Sequence, residues 1–325
     1  MLKERTEKIL GAFISCLAIC VSVIGLFYSD GGASFQVNNI YGQPVVLYGK
    51  GIYANNSLMT VAGRLGADWM GLISGLLMMT WIIIGKKKMW AYVLRLAQCF
   101  SFIYYFACLV FSISMNRLYL IYVLGFGLSI FTSIILWVRY TATIEVKDSA
   151  KENKNIGISL CLAVSGIITI FIWLAMLVPS IMVNDFGNLL GVLTTEATYA
   201  IDLGVLCPGM ILCAVMVNKK MNLGYKIAPI FLYILLCVGP MVILQNVYCG
   251  KLGIEVPIPA FIGTVLSFLV MCLFALLYLY KSIRLLRWNN DLSLCLSEKS
   301  TFTLSISILS ASLIVERRCA TINVV

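Results

Sequence analysis

Histidine is absent from all 325 residues, which removes the commonest metal ligand and the usual proton relay near neutral pH. Any proton chemistry therefore falls to carboxylates. Charge is scarce as well. Only 12% of residues are Asp, Glu, Lys or Arg, too few to clothe a soluble core of this size in a polar shell. The 12 cysteines include no C-x-x-C pair, and most, such as Cys99, Cys161 and Cys213, lie inside apolar runs where cysteine packs as a small hydrophobe. A Walker loop, a G-x-S-x-G elbow, an H-E-x-x-H pair and a dinucleotide fingerprint are also missing. With no cluster of nucleophile, base and metal ligand, neither an enzyme nor a bound cofactor or metal is expected.

Apolar sequence is abundant: 61% of residues are hydrophobic, and the mean hydropathy is +0.97. These values suit lipid as the solvent. Backbone groups in hydrocarbon must be satisfied within their own segment, so apolar runs of about 20 residues read as helices. Eight such runs lie near 9–28, 67–84, 92–114, 118–138, 156–178, 195–217, 227–248 and 260–280. They do not alternate, which excludes barrel strands. The expected fold is an all-α polytopic membrane helical bundle of about eight transmembrane helices, with the lipid bilayer as its first partner. Lys3, Arg5 and Lys8 give the first run a signal-peptide look, but the run is too long and no A-x-A site follows, so it reads as a retained helix.

The formal net charge of +10 would suggest a polyanionic partner in a soluble protein. Here it has a topological origin, and no nucleic acid is expected. Of the 24 Lys and Arg, all but Lys50, Arg64, Arg117 and Lys251 fall on one face of the span pattern once the tail is assigned to that face. By the positive-inside rule that face is cytoplasmic, with both termini on it, in the cell membrane. Trp81, Trp90, Tyr92, Trp137, Tyr140, Tyr225 and Trp288 fall near inner span ends and read as interfacial anchors.

A transmembrane domain is expected over 1–288, in halves of about 1–150 and 151–288. Each half reads helix, long outer loop, helix, short basic inner loop, helix, short outer loop, helix. Asp68 precedes Lys86 by the same 18 residues that separate Asp202 from Lys220. A 4+4 parallel repeat would give this pattern, as would simple alternation of helices. The long outer loop at 29–66 is rich in Gly, Asn and Tyr and is expected to form a small cap with turns at its glycines. The last stretch, 289–325, is expected to be a poorly ordered cytoplasmic tail in which 301–315 alternates like a strand and is too short to span.

Two acids stand out inside apolar sequence. Thr195, Thr198, Tyr199 and Asp202 recur at i, i+3, i+4 and i+7, a polar stripe on one helix face. A charge in a spanning segment costs about 2.5 to 3.5 kcal/mol, so a retained one marks a candidate site. The bland alternative is that Glu196 and Asp202 favour the positive N-terminal end of their helix. Pro208 and Pro240 are candidate kinks. Asp68 repeats the case, with Arg64 four residues earlier as a local ion-pair partner. Gly71 and Gly75 form a G-x-x-x-G that permits close helix approach. Arg117, in the outer turn between the third and fourth runs, could reach Asp202 or Glu196 across the bundle.

The string Leu47-Tyr48-Gly49-Lys50-Gly51-Ile52-Tyr53, followed by Ser57, Ala62, Gly66 and Asp68, resembles a family of uncharacterised multi-pass membrane proteins of bacteria and archaea that open with an LYGxGLY-like outer-loop motif. The resemblance continues through Tyr104, Tyr105, Asn116, Leu118 and the run Ala200, Asp202, Leu203, Gly204, Pro208, covering roughly 9–285. Arg117 stands where that pattern has proline, and the tail has no counterpart. The resemblance implies a fold-sized unit and no named activity. From the residues, the expectation is a small-solute or ion transport-type protein with a polar cavity lined by Asp202, Tyr199, Thr198, Thr195, Glu196, Asp68 and Arg117. The alternative is a sensory or accessory membrane protein that binds a partner or ligand through its outer loop.

Overall fold

The computed structural model describes residues 4–85, 88–152 and 155–289. Eight helices among them are long and apolar enough to cross a membrane: α1 (Glu4–Phe27), α2 (Leu58–Ile84), α3 (Met89–Phe111), α4 (Tyr119–Thr143), α5 (Ile156–Val183), α6 (Ala197–Asn218), α7 (Asn222–Lys251) and α8 (Ile258–Arg284). The chain is an all-α polytopic bundle. The expected tail strand at 301–315, with the rest of 290–325, lies outside the described residues, as do Lys86 and Lys87.

The main change from the expected spans is at α2, which starts about two turns before the apolar run. Ser57 caps it by accepting a hydrogen bond from the Thr60 amide, satisfying one of the free donors of the first turn. Arg64 and Asp68 consequently lie inside the membrane helix rather than at its edge. Hydropathy alone hides this extension, because the added turns carry polar and small residues.

Within each half the helices pack in the same cyclic order: α1 on α2, α2 on α3, α3 on α4 and α4 on α1, then α5 on α6, α6 on α7, α7 on α8 and α8 on α5. The halves meet where α7 packs on α2 and α3. In α3, 83% of the apolar window is buried, far more than in any other span, so α3 is the central helix. The G-x-x-x-G of α2 works as expected. A Cβ on Gly75 would lie 2.5 Å from the Ile19 side chain, and one on Gly71 would lie 2.5 Å from Ser22 Oγ, so α1 approaches too closely for larger residues.

The long loop between α1 and α2, expected on the outer side, folds into a cap. β1 (Phe35–Asn38) pairs antiparallel with β2 (Pro44–Leu47), and a 3-10 turn at Gly51–Tyr53 follows. Asp30 Oδ1 accepts from the amides of Gly51 and Gly32 at 2.9 and 3.3 Å, and these donors, Gly51 first, hold its carboxyl below the usual carboxylate range. The cap also touches both halves. The Asn39 side-chain amide donates to the Gly191 carbonyl, Gln43 donates to Asp185, and Asn56 accepts from the Ser114 amide.

At the other membrane face, β3 (Ile144–Val146) pairs antiparallel with β4 (Leu286–Trp288), which ties the connection between the halves to the end of α8. Three of the expected interfacial anchors turn out to be internal here. The Tyr92, Tyr140 and Tyr225 hydroxyls donate to the carbonyls of Leu136, Lys226 and Ala150, and all three rings are buried. A phenol at a span end can be taken up by a carbonyl of a neighbouring helix, which has a second lone pair to offer, as readily as by the headgroup region. Glu7 is also buried and pairs with Arg139 at 3.0 Å.

Candidate functional site

The site is built around two adjacent tyrosines. Successive residues on a helix diverge by about 100°, so Tyr104 and Tyr105 of α3 leave the helix toward different neighbours. The Tyr105 hydroxyl donates to Asp68 Oδ1 at 2.8 Å and lies 2.9 Å from Ser22 Oγ. Tyr53, at the base of the outer cap, donates to the other oxygen, Oδ2, at 2.7 Å. Asp68 is fully buried, and a Cβ on Gly25 would overlap its carboxylate. Both oxygens are thus engaged by phenols, and the expected local ion pair with Arg64 does not form among the described residues.

Asp202 occupies the corresponding helix of the second half. The expected kink near Pro208 appears as a π-helical turn, Asp202–Leu206, in which the Cys207 amide reaches the Asp202 carbonyl. Proline removes a backbone donor and crowds the carbonyl four residues earlier, here that of Gly204, and a widened turn relieves both problems. Trp173 of α5 donates its indole N–H to Asp202 Oδ2 at 2.9 Å, and Tyr199 meets Trp173 edge-on at 4.9 Å between ring centroids. Asp202 is 6% exposed, yet its Oδ1 is buried without a hydrogen-bond partner. Tyr104 faces this carboxylate outside hydrogen-bonding geometry.

The two bland roles assigned to the acids of α6 separate. Glu196 is the N-cap, accepting from the Thr198 amide at 3.2 Å and from the Thr198 hydroxyl at 2.6 Å. Asp202, beyond the first turn, is not a capping residue. Thr195 precedes the cap and is exposed, so it is not part of a helical stripe. Arg117 is exposed and makes no ion pair with Asp202 or Glu196 among the described residues. Of the expected set, Thr198 and Asp202 face Cys108 and Tyr104 of α3, Tyr199 packs on Trp173 of α5, and Asp68 meets α3 through Tyr105.

Two cavities flank these acids. The first, a small gap between α2, α3 and α7, is lined in part by Arg64, Ser74, Ser101, Tyr104, Tyr105 and Cys108. A second small gap is lined in part by Asp202, Thr169 and Phe268. Ile234 and Val238 of α7 belong to both walls. Tyr104 therefore lines one cavity while facing the acid of the other.

Several of these residues were not legible as a site. Arg95, Gln98, Ser101, Tyr105, Cys108 and Ser112 recur at helical spacing along α3, and Gln98 accepts a 2.6 Å bond from Tyr233. That polar stripe in an apolar helix was the available signal. Trp173 offered another, since it sits mid-span rather than at an interface.

The fold and these buried polar residues define the class: an integral membrane protein with eight apolar helices. No family model, curated protein or solved structure matches the chain.

Proposed function

We propose that the protein is a small-solute or ion transport-type protein in which Asp202 serves a cavity inside the second half, with Tyr199 beside it on Trp173 and Asp68 as the matching acid of the first half. The observation that carries this reading is the free Oδ1 of Asp202. A buried carboxylate oxygen without a donor is costly, and here it borders a cavity beside a widened helical turn. Such an oxygen suits a transient cation or proton. The test is purified protein in liposomes, with imposed proton or sodium gradients followed by trapped fluorescent indicators. Asp202→Asn keeps an acceptor for Trp173 and removes the charge. Wild-type protein should show gradient-dependent flux that the Asn variant loses at least about tenfold, the worth of one charge-assisted contact, while its unfolding midpoint barely moves. No flux with wild type, or identical flux with Asn, overturns the reading.

The second reading, a sensory or accessory protein that binds a partner through its outer cap, is favoured by one contact. Tyr53 couples the cap to Asp68 inside the membrane, so an event at the cap has a route to the bundle.

For orientation we propose both termini on the cytoplasmic side of the cell membrane, on the strength of the basic-residue bias. Reporter fusions after Lys88, Lys147, Lys220 and Arg287 are expected to read cytoplasmic, and fusions near Asn55, Arg117 and Lys251 external. A single reversed reading breaks this assignment.

A further inference from the structure

Two buried oxygens of the second half line the same small gap without partners. Asp202 and Thr169 are each 6% exposed, and Oδ1 of the first and Oγ1 of the second are both buried with no hydrogen-bond partner among the described residues. Helical geometry brings them together. Trp173, which donates to Asp202 Oδ2, stands four residues after Thr169 on α5, so both side chains leave the same face of that helix. A Cβ on Gly166 would lie 3.0 Å from the Cys207 carbonyl oxygen. That contact puts Thr169, three residues further along α5, roughly level with the widened turn Asp202–Leu206 of α6.

Size and lining narrow what the gap can hold. It has room for roughly one water, and a buried water needs at least about two polar partners, which these two oxygens supply. Phe231, Ile234, Leu235 and Val238 of α7 and Phe268 of α8 make the remaining wall apolar. A hard metal cation must replace a shell of about six oxygen ligands, and this gap offers two. Asp202 forms no ion pair among the described residues. The titratable groups that bear on it are Tyr104 and Cys108 of α3 and Glu196 and Cys207 of its own helix, none of them a cation. α5 brings the Trp173 indole and the Thr169 hydroxyl. A proton needs a single oxygen and is the counter-charge that fits.

We infer that Asp202 and Thr169 form a proton-binding site that excludes metal cations, with one water bridging Asp202 Oδ1 to Thr169 Oγ1. Oδ1 takes the proton from hydronium and returns it to water. Thr169 is a positioning residue that holds the bridging water. The inference rests on the transport reading where it names the proton as the ion carried; as a binding site it has its own test.

Full-length protein in detergent micelles is titrated while infrared difference spectra follow the C=O stretch of protonated carboxyl groups. The part of that band lost in Asp202→Asn belongs to Asp202. Its midpoint is expected to fall within the pH range where the protein stays folded, and to be the same in sodium, lithium, potassium and choline chloride. Thr169→Val should raise the midpoint by about one pH unit, because a hydrogen bond is stronger to the ionised carboxyl than to the neutral one. Thr169→Ser keeps the hydroxyl and should restore it. A midpoint that falls as sodium or lithium rises marks a metal site and overturns the proposal. An Asp202 band that never titrates, or a Thr169→Val midpoint equal to that of wild type, does the same. Tyr104→Phe checks the other hydroxyl that faces the carboxylate: a larger shift than that of Thr169→Val assigns Oδ1 to Tyr104 and overturns the site. Should the variants fail to fold, wild-type protein still decides. Dicyclohexylcarbodiimide reacts with protonated carboxyls, so labelling of Asp202, read by peptide mass spectrometry, should decline as pH rises and ignore sodium; protection by sodium, or labelling indifferent to pH, overturns the site. Titration of Asp202 without proton flux in liposomes removes the transport reading and keeps the site. Sodium flux that Asp202→Asn abolishes keeps that reading and overturns the site.

Discussion

Replacing Gly49 and Gly51 together by valine is expected to abolish the folded outer cap. Both glycines have positive φ, 73° and 58°, where a β-branched residue loses about 1 to 2 kcal/mol each. Close approach adds to this. A Cβ on Gly49 would overlap the Ala33 carbonyl oxygen, and one on Gly51 would lie 2.5 Å from that of Tyr28. These neighbours are backbone, so relief requires moving the chain, at a further cost of about 1 to 3 kcal/mol per site. The combined loss, about 4 kcal/mol or more, exceeds what a small cap can supply. Tyr53 follows Gly51 by two residues, so its hydrogen bond to Asp68 should be lost as well. Folded yield by size exclusion and protease resistance from the outer face should both fall. Gly42→Asn is the control: φ is positive there but nothing lies within 4 Å of a Cβ, and asparagine tolerates that conformation. If the double valine variant matches the control, the cap has no structural role.

The second large effect is expected at Asp68. Asp68→Ala removes the acceptor of two buried phenols. Each buried hydroxyl left unpaired costs about 1 to 3 kcal/mol, although Tyr105 keeps Ser22, so the net loss should be about 2 to 4 kcal/mol. Asp68→Asn keeps one acceptor oxygen and should lose roughly half as much. In Tyr53→Phe the order should collapse: with one phenol gone, the gap between Ala and Asn narrows, giving a coupling of about 0.5 to 3 kcal/mol between positions 53 and 68. Unfolding midpoints of the four proteins in one detergent would measure it. Additive changes would show that the cap and the membrane acid do not communicate through this bond.

The expected and observed structures differ where a polar residue chooses among several partners. Asp202 was read as one of a stripe with Thr195, yet the helix begins at Ala197 and the stripe's first member lies outside it. Arg64 was read as the partner of Asp68 from their i, i+4 spacing, but two phenols from the cap and from α3 take the carboxylate instead. Sequence spacing ranks neighbours on one helix. It cannot rank them against side chains arriving from other elements, and in hydrocarbon every donor competes for the few acceptors present.

By itself the sequence determined the solvent, the helical class and the number of spans, because each follows from the cost of exposing backbone to lipid, a property summed over some 20 consecutive residues and insensitive to packing. It also determined the cap's need for glycine at Gly49 and Gly51, since a positive φ is a local demand. Only the tertiary structure decided that α3 is central, that Tyr104 and Tyr105 reach toward different acids, that Asp202 sits at a widened turn with an unpartnered oxygen, and that Arg64 is buried with its Nη1 unpartnered among the described residues. Those outcomes depend on which helix faces meet. In a membrane that choice is set by close packing and by the pairing of scarce polar groups across helices, since lipid is as apolar as the residues it touches and hydropathy cannot distinguish one face from another.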